Sequence, residues 1–376
     1  MLDLSRQYQP LHQELLAALE HVLETQQFIL GEQVSAFEQA AAAQLGVAHA
    51  IGCASGTDAL WLALAASGIG PGNAVITTPF SFFASVSAIL RAGAAPVLAD
   101  IDPATFNLSP ANAQAVLDTP RGASVRAILP VHLYGQCARF SASGFGKDHG
   151  LTVIEDAAQA WGAEWQGVKA GGLGHAAAFS FYPTKNLSAA GDAGMVATHS
   201  ALVAEHARSL RQHGMRRRYY HDELGWNARM DGFQGAVLAV KLRHIERWNQ
   251  ARSQIAARYH ALFRKSGLAE SGLYPQQGLV LPHEQPGSRH VWHQYVIRAT
   301  RRDDLRAFLT TRQIGSEIYY PVPLHLQDAL KGLGYQEGDF PEAERAAREV
   351  LALPMFPELR EDEQETVVAA IADFFS

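Results

Sequence analysis

Apolar positions follow two different periods, and the switch between them organises the first two thirds of the chain. Leu11, Leu15, Leu16, Leu19 and Leu23 recur every three or four residues, which predicts an amphipathic helix over residues 8–25. A second helix is expected over 34–45. Short apolar runs then appear at 49–53, 74–79, 95–99, 125–131, 151–155, 176–181 and 194–198, separated by helical stretches such as 59–66 and the segment ending at Ala92. Strands that alternate with helices at these lengths predict an α/β fold, with a mostly parallel sheet covered on both faces. One long helix is expected over 231–263, with Gly232 and Gly235 near its start, bridging to a smaller region. That region has a strand at 292–297, a helix at 303–312 and terminal helices. The expected division is a large domain over 1–240 and a smaller one over 241–376. Near the end of the larger part, residues 215–221 read as a loop.

Composition excludes more than it identifies. With 376 residues, 48% apolar and 18% charged, the chain is an ordinary globular one. A net charge of −6 argues against nucleic acid or an anionic membrane as the main partner. Cys53 and Cys137 are the only cysteines, too few for a disulfide framework, so a reducing cytoplasm is expected. The first residues have no basic flank and no long apolar core, so no secretory signal is expected. No run approaches eighteen apolar residues, so no membrane span is expected either. CxxC, HExxH and P-loop patterns are absent, and the sixteen histidines lack ligand spacing, so no metal is expected. Asp100 and Asp102 read as loop and capping residues, and the glycine clusters at 68–72 and 171–174 read as turns.

The strongest candidate for chemistry is Lys185. The strand over 176–181 is broken by Pro183, which delivers this lysine into a turn before the next buried strand. Partial desolvation there lowers an amine's pKa and frees it to attack an aldehyde. Upstream, the run Leu151–Ile154 leads to Asp156 at the carboxyl end of a strand, where open α/β sheets contact their ligands. Asp156 could equally cap the segment that follows. Together the lysine and the carboxylate suit pyridoxal phosphate (PLP), which needs an amine for its aldehyde and an anion for its ring nitrogen. Ser55-Gly56-Thr57-Asp58 opens a helix and offers free N–H groups to a phosphate, or is a plain N-cap. Arg216–Arg218 with Tyr219 form either a solvated basic face or a groove for a diphosphate.

Three segments carry a resemblance: CASGTDALWLAL at 53–64, VIEDAAQAWGA at 153–163 and SFYPTKNLSAAGDAGMVAT at 180–198. With the G-x-N-x-R-M pattern at 225–230, the chain resembles the DegT/DnrJ/EryC1/StrS family along nearly its whole length. The resemblance implies a fold-type-I transferase: a large domain built on a mostly parallel seven-stranded sheet flanked by helices, plus a smaller α+β C-terminal domain. It implies that Lys185 anchors PLP, Asp156 pairs with the ring nitrogen and Gln159 sits near the ring hydroxyl. Phe82 would stack on the ring, with Phe83 as the adjacent alternative. Gly56, Thr57, Asp58 and Ser180 would bind the phosphate, joined by Asn227 from a partner subunit, which makes a homodimer with shared sites the expected assembly. Arg216, Tyr219, Tyr319 and His325 are the expected substrate neighbours. The implied reaction takes an amino group from L-glutamate through pyridoxamine phosphate to a nucleotide-linked keto-sugar. Alternatives are a keto-cyclitol or aromatic-acid precursor as acceptor, or a PLP-binding regulator without turnover.

Overall fold

The computed structural model describes residues 1–376. Seven strands form one sheet in the order His49–Cys53, Gly194–Thr198, Ala176–Ser180, Thr152–Asp156, Val125–Ile128, Ala74–Thr77, Ala95–Leu98. Neighbours from Ala176–Ser180 to Ala95–Leu98 pair in parallel. Gly194–Thr198 runs against both of its neighbours. Six strands therefore point the same way, and Cys53, Asp156 and Ser180 finish at one edge.

Burial explains the apolar runs. Gly194–Thr198 is buried throughout, and Ala176–Ser180 is buried except at its last residue. Helix Gly56–Ala66 covers one face and buries Ala59 to Leu64 without interruption. On the other face, Phe37 of helix Gly31–Leu45 meets Phe181 edge-on at 5.4 Å, and Trp161 meets Phe179 at 5.0 Å. Such aromatic pairs add to the area they bury. Further along, Leu279–Val280, Tyr295–Ala299 and Val350–Leu353 form a separate antiparallel sheet. Helix Arg302–Thr311 packs on its strand Val350–Leu353 and on helix Glu361–Phe375.

Three expectations are corrected. The long helix over 231–263 is two, Gly232–Leu242 and Ile245–Lys265. The first packs on Gly31–Leu45 and the second on Glu361–Phe375, so the chain turns at Arg243–His244 to serve two cores. Apolar spacing continues across that turn, which hides it. The segment 215–221 is a hairpin, Met215–Arg217 against Tyr220–His221, not an irregular loop. Arg217 lies 3.5 Å above the Tyr220 ring and Arg218 5.0 Å from that of Tyr219, and this stacking orders a sequence whose composition looks loop-like. Finally, the first helix is interrupted: Leu4–Tyr8, a tight turn at Gln9–Leu11, then His12–Thr25. Pro10 sits in that turn, where its missing N–H costs nothing. Asp100 and Asp102 cap local turns as expected. Asp100 also accepts from the Glu342 and Ala343 N–H groups at 2.9 and 3.0 Å.

Candidate active site

Strand Ala176–Ser180 leaves the sheet into a loop that Ala189 N–H closes on Phe181 O at 2.7 Å. Inside it, Lys185 N–H bonds Tyr182 O at 2.8 Å. The loop is pinned on the far side of Lys185 at two points. Asn186 Nδ2 donates to Asn249 Oδ1 and Val291 O, both at 2.9 Å. Lys241 Nζ donates to Ser188 O and Oγ at 2.9 and 2.7 Å. Lys185 keeps some surface open, yet the protein packed around its amine lowers its pKa to about 8, with Asp156 opposing. An amine tuned this way presents more of its free base near neutrality.

Asp156 ends its strand with its backbone fixed on both sides: its N–H bonds Pro130 O, and its carbonyl accepts from His132 N–H, each at 2.9 Å. Its side chain serves as both a cap and a buried anion. Oδ1 accepts from Ala158 N–H at 3.2 Å and Oδ2 from Ser85 Oγ at 2.7 Å. Burial raises its pKa, against the pull of Ser85, Ala158, Lys185 and His132. A buried carboxylate with two neutral donors and no bonded cation is suited to a protonated ring nitrogen.

Beside it, Gln159 Oε1 accepts from Tyr134 N–H at 2.6 Å, and Nε2 donates to the Tyr320 hydroxyl at 3.2 Å. Phe82 lies 6.2 Å from the Tyr320 ring and is 58% exposed. An aromatic ring left that bare beside a buried carboxylate network is available to stack on a planar ligand. Phe83 caps helix Ala84–Arg91 and is less open.

The phosphate end is built from glycine and a helix start. Ser55 Oγ accepts from Asp58 N–H at 3.1 Å, and Ser55 O accepts from Ala59 N–H at 2.9 Å. Gly56 and Thr57 N–H groups are left without a protein acceptor at the positive end of helix Gly56–Ala66. A Cβ on Gly56 would stand 2.6 Å from Ser180 Cβ and 2.9 Å from its hydroxyl, so only glycine keeps this cradle open. The Asp58 carboxylate turns away, to Arg91 at 2.6 Å and Ser55 Oγ at 2.8 Å. Its side chain therefore supports the cap and faces no phosphate.

Of the remaining candidates, Tyr319 borders this group through Tyr134 and Tyr320, and the structure does not bring the others into it. Asn227 is exposed, its Oδ1 accepting from Arg229 Nε at 3.0 Å. Arg216 and Tyr219 stand exposed on the hairpin. Tyr319 is half-buried, its carbonyl bonded by the Tyr134 hydroxyl. His325 is sealed, its Nε2 3.0 Å from Glu344 Oε1 and its ring against Phe340. Sequence reasoning missed Ser85, Asn186, Asn249, His293 and Lys241. Only Asn186 carried a signal, its place next to Lys185.

A part-open lysine whose amine is packed in protein and a buried carboxylate at the carboxyl edge of a parallel sheet, on strands that end beside a glycine cradle with two free N–H groups, define an enzyme that works with pyridoxal phosphate. These residues fit that cofactor at the amine, ring nitrogen, ring face and phosphate. Comparison with known proteins is in agreement: the chain belongs to the DegT/DnrJ/EryC1/StrS aminotransferase family, whose model matches residues 9–372. It is 49% identical to a pleiotropic regulatory protein of Geobacillus stearothermophilus, over all of this chain and 98% of that one. It is 42% identical to the UDP-N-acetyl-3-dehydro-alpha-D-glucosamine 3-aminotransferase of Acidithiobacillus ferrooxidans, over 99% of this chain and 96% of the other. Among solved structures, Streptomyces venezuelae DesV in complex with a ketimine intermediate superposes with a TM-score of 0.93 at 40% identity, over 100% of this chain and 97% of the other. The fold is therefore that of the fold-type-I transferases.

Proposed function

We propose that this aminotransferase moves an amino group from L-glutamate to the ketone of a nucleotide-linked keto-sugar, in amino-sugar biosynthesis. The observation that carries the reading is the Lys185–Asp156 pair, whose two pKa values are displaced in opposite directions in one buried site. The cofactor supplies an electron-accepting ring when bound. Lys185 would hold it through its amine and would move a proton to and from the reacting carbon as base and acid. Asp156 keeps the ring nitrogen protonated, while Gln159 and Phe82 orient the ring. Gly56 and Thr57 N–H groups and the Ser180 hydroxyl bind the phosphate. Arg216 and Tyr219 are suited to the nucleotide diphosphate and Tyr319 to the sugar. His325, sealed against Glu344, would act only by holding its turn.

The phosphate shell is completed by the partner subunit's Asn227 in a homodimer. Leu16 and Leu23, exposed on helix His12–Thr25, and Leu224, 81% exposed, favour such a second copy. We divide the chain at 240/241, beside the turn at Arg243–His244. We place the enzyme in the cytoplasm, where free thiols such as Cys53 and Cys137 stay reduced. No helix is long and apolar enough to cross a membrane.

A second reading, a PLP-binding regulator without turnover, draws on the name of the 49% identical relative. The complete lysine–carboxylate pair disfavours it, because a pure sensor does not need that pair for turnover. Visible absorption decides between them. The PLP-loaded protein should show a yellow band that bleaches on adding L-glutamate, and keto-sugar nucleotides should restore it. A band that ignores every amino donor would sink the transferase reading, and no band at all would sink both.

A further inference from the structure

Asn186 is buried, and its amide orientation follows from what surrounds it. Val291 O can only accept, so Nδ2 must face it at 2.9 Å. Asn249 is fixed likewise, because its Nδ2 donates to Trp161 O at 2.9 Å, which turns its Oδ1 toward Asn186 Nδ2. Both Asn186 donors are thus used, and only its Oδ1 remains. That oxygen lies 3.1 Å from His293 Nδ1, so the imidazole nitrogen carries the proton. His293 is held as the Nδ1–H tautomer, and its Nε2 makes no hydrogen bond to the protein. Burial keeps the ring well below the usual histidine range, and the Lys185 and Arg252 charges add to this.

The backbone beneath the ring is anchored as firmly. Arg252 Nη1 donates to Trp292 O at 3.1 Å, His293 O at 3.3 Å and Met355 O at 3.1 Å, and Arg252 has no bonded carboxylate. Three parts of the chain meet here: the Lys185 loop, helix Ile245–Lys265 through Asn249 and Arg252, and the segment entering strand Tyr295–Ala299. A buried, neutral imidazole whose one donor meets the neighbour of the reactive lysine, and whose backbone carbonyl is held by Arg252, does more than fill space, since phenylalanine would fill it without a polar group to satisfy.

We propose that His293 is a positioning residue for Lys185: its Nδ1–H on Asn186 Oδ1 sets the loop so that the amine faces Asp156. The inference rests on Lys185 being the reactive amine. Replacing the ring separates the two nitrogens. In His293→Asn the side-chain amide can reproduce the Nδ1–H donor, in His293→Gln it reaches toward the Nε2 position, and His293→Phe removes both.

Two readouts are taken on each chain. One is the pH profile of Lys185 acylation in the cofactor-free protein, read by peptide mass mapping, which reports the amine's own pKa. The other is kcat and KM for L-glutamate. The Phe and Gln variants should shift the acylation midpoint and lose about 100-fold in kcat with little change in KM, the scale of a 1 Å misplacement. The Asn variant should recover most of both. Recovery by Gln rather than Asn would overturn the proposal, as would wild-type midpoints and kcat in all three. If the Phe chain does not fold, the Asn and Gln pair still decides. Failure of wild-type Lys185 to take up PLP would count against the proposed function; normal uptake with indifferent variants would count against this inference alone.

Discussion

Lys241 offers the most direct test of the electrostatics around the reactive loop. Its side chain is fully buried, with Nζ 2.7 Å from Ser188 Oγ, 2.9 Å from Ser188 O and 3.1 Å from the Tyr8 hydroxyl, and 4.3 Å from the Tyr8 ring centre. None of these partners is an anion. Burial lowers the amine from the ordinary 10.5 to about 8, with distant Glu358 opposing. That difference corresponds to about 3 kcal/mol of folding free energy. The sign follows from proton binding. Between pH 8 and 10.5 the unfolded chain holds the proton more tightly than the folded one, so stability rises with pH across that window. Below pH 8 the full cost is present, and above 10.5 it has gone. Lys241→Met removes this titration. It also leaves the Ser188 and Tyr8 oxygens without their donor, at roughly 1–3 kcal/mol per unmet group, but this loss is constant with pH until Tyr8 itself ionises, which burial moves above the ordinary 10. Urea unfolding of both chains below pH 8 and above 10.5 should therefore show the wild type gaining about 3 kcal/mol on the variant as pH rises. Lys185 titrates in both chains and cancels. Parallel stability curves would refute the argument and mean that Lys241 is effectively solvated.

Gly56→Ala should fold normally but lose PLP at least tenfold more readily, because its Cβ would fall 2.6 Å from Ser180 Cβ; cofactor retention on dialysis measures this. Ser85→Ala removes the 2.7 Å bond that holds the Asp156 pKa down, so the acid limb of kcat/KM should move to higher pH, with a loss of about 5- to 30-fold. An unmoved acid limb would show that Asp156 does not govern it. Mixing Lys185→Ala and Asn227→Ala chains, each inactive alone, should restore part of the activity through hybrid dimers if the site is shared. Complete lack of complementation would argue for sites built within one chain.

What could be read from the sequence was what short-range patterning encodes. The buried runs around 152–156 and 176–180 marked the strands, Pro183 marked the break that frees Lys185, and Ser-Gly-Thr marked the helix start at Gly56. Long-range partners left no such trace. Asn186 meets Asn249 and His293, and Ser188 meets Lys241, across separations of 53 to 107 residues that no local period reports. The turn at Arg243–His244 was hidden because apolar spacing continues through it while the packing partner changes. Asp58 was assigned to the phosphate with its turn, but its carboxylate is committed to Arg91, and that ion pair is also a long-range contact.

Within the site, the two central groups are each displaced from their ordinary ionisation in a way that the same ligand relieves. Lys185 is an amine whose charge burial disfavours, and Asp156 is a carboxylate whose charge burial also disfavours. Their mutual attraction offsets this only in part, since both shifts remain. A ligand that takes up the amine through an aldehyde and offers a cation to the carboxylate removes both penalties together. It also supplies an anion for the Gly56 and Thr57 N–H groups and a plane for the exposed Phe82 ring. The two desolvated ionisable groups cost stability in the free chain, and all four features are met by one molecule with an aldehyde, a basic ring nitrogen and a phosphate. The arrangement is thus better explained as prepared for that cofactor than as four unrelated departures from good packing.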